Sequence, residues 1–284
     1  MNHTALIQPA ALQGLLSSAQ IVVFDCSFDL TRPEAGRVLH AAGHVPGALY
    51  LHLDDDLSAV KSGRNGRHPL PDRQAFAARL AALGVSDDSQ VVVYDAVGGM
   101  YAARAWWMLR WVGHAAVALL DGGLPAWKAA GLPLQTGAVA PRQPGRFTLR
   151  PALAATVDRA AVLANVESAA ALVVDARAPD RFRGENETLD PVGGHIPGAC
   201  NRLFRDNLAA DGRFKPAGQL RAEFDAATGG RAAAEQIHSC GSGVTACHNL
   251  LALEVAGLPG AALYPGSWSE WCAWPDGPIA TGDA

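Results

Sequence analysis

The sequence predicts an α/β protein built from two copies of one unit, each a parallel sheet with helices on both faces. One observation is an internal repeat, because the hexapeptide GHVPGA at 43–48 returns as GHIPGA at 194–199. A second is that short, continuously apolar runs alternate with stretches of helical spacing, which is typical of buried parallel strands joined by helices. The third is the length of 284 residues, which corresponds to two domains at about 150 residues each.

Four short apolar runs are the predicted central strands. They are Ile21 to Asp25, Gln90 to Asp95, Leu172 to Asp175 and Gln236 to Cys240. Between the first two, Arg73 to Leu83 carries apolar residues at helical spacing and is followed by Gly84, a typical helix stop. The alternation of strand and helix therefore occurs in both halves.

The chain divides at a Pro- and Gly-rich stretch without periodicity, a pattern that indicates a linker. We expect a first domain over residues 1–135, a linker over 136–150 and a second domain over 151–284. The halves also end alike, since Gly-Gly-Leu-Pro-Ala-Trp at 122–127 corresponds to Gly-Ser-Trp-Ser-Glu-Trp at 266–271.

Composition excludes several classes of function. Lys and Arg total 23 against 27 Asp and Glu, a net charge of −4, so no basic excess exists for nucleic-acid binding. Five cysteines in a chain this long are too few for a disulfide scaffold, and none has zinc-site spacing. The N-terminus lacks a signal-peptide pattern, and the most apolar stretch, Ala102 to Leu120, contains charged residues. We expect a cytoplasmic protein with no membrane partner.

One loop carries the chemistry. Cys240 ends a predicted strand, Gly241 and Gly243 bend the chain, and a helix begins. Inward-turned backbone N–H groups and a helix N-terminus stabilise a thiolate, which is a nucleophile at neutral pH. Cysteine phosphatases need an arginine six positions after the cysteine, but Ala246 stands there, which disfavours phosphate chemistry. The alternative is a structural cysteine beside a tight turn.

Together, the paired hexapeptides, the loop CGSGVTA at 240–246 and the closing YPGSWSEW at 264–271 resemble the two-domain rhodanese family. The loop is most similar to that of its 3-mercaptopyruvate sulfurtransferase branch, because the thiosulfate branch places basic residues there. The resemblance implies two tandem rhodanese-like domains. It also implies that the first is catalytically silent, because Asp95 stands where the second has Cys240.

The resemblance implies a reaction without metal or organic cofactor. Cys240 takes sulfur from a small-molecule donor as a persulfide and passes it to cyanide or a thiol such as thioredoxin. The residues expected to bind the donor or the persulfide are Gly241, Ser242, Gly243, Val244, Thr245, Arg181 and His44. Ser242 is expected to donate to the substrate carbonyl or the departing enolate. Thr245 either bonds the persulfide or caps the helix. A monomer is expected.

Two positions leave the donor open. In the mercaptopyruvate branch a second arginine follows the first by nine residues, but Asp190 occupies that position after Arg181. His44 either assists Ser242 or is structural, as His195 is expected to be. Thiosulfate therefore remains an alternative donor, and a protein-to-protein persulfide relay is a further alternative. Cys247 is expected to be a core thiol, with a redox role as the alternative.

Overall fold

The computed structural model describes residues 3–283 and shows two compact units. The first unit holds the chain up to Ala59, Pro71–Leu153 and Leu208–Phe214, and the second holds Val60–Leu70, Ala154–Asn207 and the chain from Lys215. Two segments are exchanged between the halves of the sequence, Val60–Leu70 and Leu208–Phe214. A single linker between two domains does not predict this exchange. Val60–Leu70 lies within the first half of the sequence but belongs to the second unit.

The first unit has a five-stranded parallel sheet in the order β1-β5-β4-β2-β3. Its strands are β1 (Leu6–Ile7), β2 (Ile21–Asp25), β3 (Leu49–Tyr50), β4 (Gln90–Tyr94) and β5 (Val117–Leu120). Its helices are α1 (Pro9–Leu15), α2 (Ala35–Ala42), α3 (Arg73–Ala82), α4 (Ala102–Trp111) and α5 (Gly123–Ala129). The predicted strand at Ile21 and the helix starting at Arg73 are confirmed, and Gly84 follows that helix with φ +85.

The second unit repeats this arrangement, with the sheet order β6-β10-β9-β7-β8 and parallel pairing throughout. Its strands are β6 (Ala155–Thr156), β7 (Leu172–Asp175), β8 (Cys200–Asn201), β9 (Gln236–Ser239) and β10 (Ala262–Leu263). Its helices are α6 (Arg159–Ser168), α7 (Pro179–Arg183), α8 (Ala217–Thr228), α9 (Thr245–Val255) and α10 (Ser267–Trp271), with 3₁₀ turns at Phe204–Asn207 and Ala233–Glu235. The predicted α/β duplication is confirmed.

The sheet topology determines where Asp95 and Cys240 lie. The central strands β4 and β9 are almost entirely buried, although only β4 has a mainly apolar sequence. Asp95 directly follows the first of these strands, and Cys240 directly follows the second. Both residues therefore lie at carboxyl ends of parallel strands, where ligands of such sheets bind.

The predicted linker, residues 136–150, is bonded along the first unit. The N–H of Gly145 donates to the carbonyl of Ala81 at 2.8 Å, and the N–H of Asp87 donates to the carbonyl of Arg146 at 3.0 Å. The side chain of Asp87 in turn accepts bonds from the N–H and hydroxyl of Thr148, each at 2.8 Å. These bonds replace water at the backbone of a segment that has no periodic apolar face.

The loop after β4 is folded around its own carboxylate. Asp95 is fully buried, and its two oxygens accept the N–H groups of Val97, Gly99, Tyr101 and Ala102 at 2.8–2.9 Å. Burial raises the pKa of Asp95, while the four N–H donors act in the opposite direction by stabilising the carboxylate. This loop is thus an anion cradle filled by a side chain of the protein itself.

Asp95→Ala is expected to lower the free energy of unfolding by about 3 kcal/mol or more, because buried N–H groups lose their acceptor. Urea unfolding would measure the change. The control is Asp88→Ala, whose exposed carboxylate accepts one bond from Gln20 and should cost no more than about 0.5 kcal/mol. Equal effects of the two substitutions would show that the cradle does not stabilise the unit.

Candidate active site

Cys240 lies at the bottom of the loop that connects β9 to α9. Its side chain is buried, with 1% of the residue exposed, and its Sγ accepts the N–H of Gly243 at 3.1 Å. Helix α9 begins at Thr245, with Val244 in the N-cap position. The N–H donor and the helix N-terminus both favour negative charge on the sulfur.

The closing segment of the unit holds this loop from behind. The carbonyl of Cys240 accepts the N–H of Trp268 at 3.0 Å, and the carbonyl of Gly241 accepts the N–H of Ser269 at 2.9 Å. Gly243 has φ +74, and a Cβ there would overlap the carbonyl oxygen of Pro265. Only glycine therefore permits the turn that aims its N–H at the sulfur.

The segment Val60–Leu70 packs against the same region of the second unit. The indole N–H of Trp274 donates to the carbonyl of Arg64 at 3.1 Å, and the N–H of Arg67 donates to Oγ of Ser269 at 3.0 Å. Gly66 has φ +82, and a Cβ there would lie 2.8 Å from the carbonyl oxygen of Gly266. The close approach fixes the two residues that follow, Arg67 and His68.

These two residues contact the nucleophile loop directly. Nδ1 of His68 and Oγ of Ser242 are 2.8 Å apart, and both residues are buried. A Cβ on Gly241 would lie 2.8 Å from Nη2 of Arg67 and 3.6 Å from Nη2 of Arg181. The loop therefore has a histidine–serine pair and two guanidinium groups beside its cysteine.

The guanidinium groups of Arg67 and Arg181 belong to an arginine–carboxylate cluster. Its members are Arg67, Arg177, Arg181, Glu187 and Asp190. Arg181 donates from Nε and Nη2 to Glu187 at 3.0 and 2.9 Å, and from Nη2 to Asp190 at 3.3 Å. Arg67 donates to the other oxygen of Asp190. Each oxygen of Asp190 thus contacts a different arginine.

The two carboxylates of the cluster differ electrostatically. Burial acts to raise the pKa of Glu187, but the N–H of Leu189 and the guanidinium of Arg181 hold it below its usual value. Burial raises the pKa of Asp190, and Glu187 adds to this although Arg67 opposes it. Glu187 therefore stays ionised to a lower pH than an ordinary glutamate, whereas Asp190 takes up a proton at a higher pH than an ordinary aspartate.

Arg177 is the structural member of the cluster. Its guanidinium donates to Asp175 at 2.7 Å and to the carbonyl of Gly194 at 2.6 Å, and lies 4.7 Å from the ring centre of Trp268. Burial opposes its charge, but Asp175 and Glu187 more than compensate and raise its pKa. It ties β7 to the segment behind the nucleophile loop.

Two stretches of the sequence, residues 8–130 and 158–273, match the rhodanese-like domain. The chain belongs to the rhodanese family. Each match falls on one copy of the repeat, so the duplication is a pair of rhodanese-like domains.

Several relatives match this chain over most of their length. A Pseudomonas aeruginosa protein named "Probable 3-mercaptopyruvate sulfurtransferase" is 49% identical over 100% of both chains. The thiosulfate sulfurtransferase of Bos taurus is 37% identical over 88% of this chain and 84% of its own. The crystal structure of SseA from Escherichia coli, described among 3-mercaptopyruvate sulfotransferases, has a TM-score of 0.79 and 34% identity and covers 94% of this chain and 99% of its own. The chain is an enzyme of the sulfurtransferase class.

The structure brings most of the predicted site residues of this chain together. Cys240, the loop residues up to Thr245 and Arg181 all lie around one point of the second unit. Thr245 is the first helical residue, since Val244 occupies the N-cap position. Cys247 is fully buried, and its Sγ donates to the carbonyl of Gly243 at 3.3 Å.

The hydroxyl of Ser242 is contacted by His68. His44 belongs to the first unit, where its Nδ1 is 2.6 Å from the carbonyl of His40 and its ring stacks on that of His40. Burial lowers the pKa of His44. The repeated His195 similarly bonds the carbonyl of Phe182 at 2.9 Å. Both histidines thus make the backbone contacts of the repeated turn.

Sequence reasoning missed Arg67 and His68. Their signal was the long stretch between β3 and α3, from 51 to 72, which contains four Asp, two Gly and two Pro residues and has no periodic pattern. A loop of that length inside a compact domain is usually functional.

In the described range 3–283, no helix is long and apolar enough to cross a membrane, and no group of three or more His, Cys, Asp or Glu residues is placed to hold a metal ion.

Proposed function

We propose that this enzyme transfers sulfur from 3-mercaptopyruvate through a persulfide on Cys240 to a thiol or cyanide. The observation that carries the proposal is the loop itself, in which Sγ of Cys240 accepts the N–H of Gly243 beside the Ser242–His68 pair. The Asp95 loop of the first unit supports it, because there the same type of loop holds an anion with four N–H donors.

In the first half-reaction, the Cys240 thiolate attacks the thiol sulfur of the donor. A sulfur–sulfur bond forms, the carbon–sulfur bond breaks, and its electron pair leaves as the pyruvate enolate. The proton carried by the donated sulfur is available to the enolate, and the hydroxyl of Ser242, bonded to His68, is placed to deliver it. The persulfide anion remains in the N–H-lined loop.

In the second half-reaction, the acceptor attacks the outer sulfur of the persulfide. A bond forms between acceptor and sulfur, and the sulfur–sulfur bond breaks with its electron pair returning to Cys240. The products are a persulfide or thiocyanate and the original thiolate. These two steps constitute ping-pong catalysis.

Two features favour mercaptopyruvate over thiosulfate. The side chains of the loop from Gly241 to Thr245 are uncharged, and the Ser242–His68 pair provides the proton that a carbon leaving group needs. Sulfite, the leaving group of thiosulfate, is a stable anion that needs none. Names of relatives include both donors, with 3-mercaptopyruvate in the Pseudomonas aeruginosa protein and thiosulfate in the bovine one.

The test compares the two donors in sulfur transfer to cyanide. We expect a higher kcat/KM for 3-mercaptopyruvate. A higher value for thiosulfate would identify that compound as the donor and leave the persulfide chemistry in place. Absence of turnover with both donors would favour the alternative of a protein-to-protein persulfide relay, in which another protein supplies the sulfur.

Ser242→Ala is expected to lower kcat for 3-mercaptopyruvate by about 100-fold, the usual contribution of a positioned proton donor, and to change thiosulfate turnover by less than about threefold. Steady-state kinetics with both donors measure this. The control is Ser58→Ala in the first unit, which removes another buried serine hydroxyl with one bond, to the carbonyl of Leu53 at 2.8 Å. Equal losses for both donors in Ser242→Ala would refute the proton-delivery role.

A further inference from the structure

We propose that Arg67 binds the anionic group of the sulfur donor, as a second guanidinium beside Arg181. The inference extends the proposed function by assigning donor recognition to a residue outside the Cys240 loop and outside α7. It begins from Gly241, the residue after Cys240, whose missing side chain leaves space for both guanidinium groups.

Arg67 is held in a position suited to this role. Its N–H is fixed by Ser269, and the preceding Gly66 approaches Gly266 closely, so the backbone is anchored on the second unit. Its guanidinium reaches Asp190 and the carbonyl of Leu189. About a quarter of its side chain, 26%, is exposed, which leaves the group open to a ligand.

The hydrogen-bonding capacity of Arg67 is not filled. Its Nε is buried and has no hydrogen-bond partner among residues 3–283. By contrast, Arg181 uses Nε and Nη2 in a two-bond pair with Glu187. The side-chain bonds that Arg67 makes among residues 3–283 use Nη1, so Nη2, the atom nearest Gly241, can bond an incoming carboxylate or thiosulfonate.

The charges of the arginine–carboxylate cluster are balanced by ion pairs. Arg67, Arg177 and Arg181 are balanced by Asp175, Glu187 and Asp190, so the cluster with its partner Asp175 is neutral. Glu187 is committed to Arg181 and Arg177, whereas Asp190 is the only carboxylate of the described chain that contacts Arg67. The ion pair with Asp190 thus holds the guanidinium of Arg67 in place beside Gly241.

The first measurement is donor kinetics of Arg67→Ala. Because an anion–guanidinium contact formed on binding persists in the transition state, we expect KM to rise about tenfold or more for both anionic donors, with kcat within about twofold. Arg67→Lys, which keeps the charge but loses the fork, should give an intermediate KM. The control is Arg64→Ala in the same segment, an exposed arginine whose guanidinium lies 4.9 Å from the ring centre of Trp274.

A double variant separates contact from charge balance. In Arg67→Ala/Asp190→Asn the cluster is neutral again, so a KM that stays about tenfold high supports direct contact with the donor. Return of KM to the wild-type value would overturn the proposal, because Arg67 would then only balance Asp190. An unchanged KM in Arg67→Ala would overturn it equally.

A binding measurement makes the result independent of turnover. Calorimetry of thiosulfate binding to the full chain carrying Cys240→Ser gives a Kd without sulfur transfer, and adding Arg67→Ala should weaken it about tenfold or more. If Arg67→Ala weakens thiosulfate binding to the Cys240→Ser chain, yet the wild type transfers no sulfur, the proposed function fails and this inference stands. If Arg67→Ala leaves the Kd unchanged, the inference fails whatever the turnover.

Discussion

Cys240→Ser is expected to abolish sulfur transfer, with a loss of roughly 10⁴-fold or more in kcat, because no other group in the loop can form the covalent intermediate. The loop is otherwise retained, since Gly243 N–H can donate to a hydroxyl as it does to Sγ. Mass spectrometry after incubation with donor should show one added sulfur atom in the wild type and none in the variant.

Cys200→Ser is the matched control for this experiment. Burial raises the pKa of Cys200 to about 11, and it raises that of Cys272 to about 11 as well. Both are neutral thiols at pH 7 and therefore poor nucleophiles. Turnover that survives in Cys240→Ser, or a persulfide found on another cysteine, would contradict the proposed mechanism.

Gly243→Ala is expected to lower kcat/KM by at least about 100-fold, because a small displacement of catalytic groups has that effect. The methyl group would overlap the carbonyl oxygen of Pro265, so the loop must move and its N–H leaves Sγ. Steady-state kinetics measure the loss, and urea unfolding measures the accompanying loss of stability.

Gly230→Ala separates backbone strain from this overlap. Gly230 has the same φ of +74 but no atom within 4 Å of an added Cβ. We expect it to cost about 1–2 kcal/mol of stability and to leave kcat/KM unchanged. Equal kcat/KM values in the two variants would show that the position of the Gly243 N–H does not matter.

The sheets could be predicted because their information is local. The runs beginning at Ile21 and Leu172 are apolar up to a final Asp, and the structure begins and ends those strands where the pattern does. The repeat then supplied the second sheet from the first, and the observed strand orders correspond one to one. Periodicity and duplication are both visible without knowledge of distant contacts.

The nucleophile loop could also be predicted, because a cysteine, two glycines and a helix start are adjacent in sequence. The contacts of Arg67 and His68 could not, because they join residues more than 100 positions apart. Nothing near His68 indicates that it meets Ser242, whereas His44 stands in a conspicuous motif. The motif reports the turn geometry of the repeat, and so it drew attention to His44 rather than to His68.

Asp190 is a second position whose contacts the sequence does not reveal. Its position in the sequence suggests the loss of a positive charge from the site, but the structure places Arg67 against it. A carboxylate at the position where the family resemblance implies an arginine is here accompanied by a guanidinium from another segment. Sequence alone shows the first change and hides the second.

The exchanged segment Val60–Leu70 also bears on inheritance. The unit that carries Cys240 is not encoded by one uninterrupted stretch of the gene, since Arg67 and His68 are specified inside the first repeat. A recombination event that copied only the codons for 151–284 into another gene would leave both behind. Under the proposed mechanism, sulfur transfer at Cys240 therefore depends on residues that are specified in both repeats.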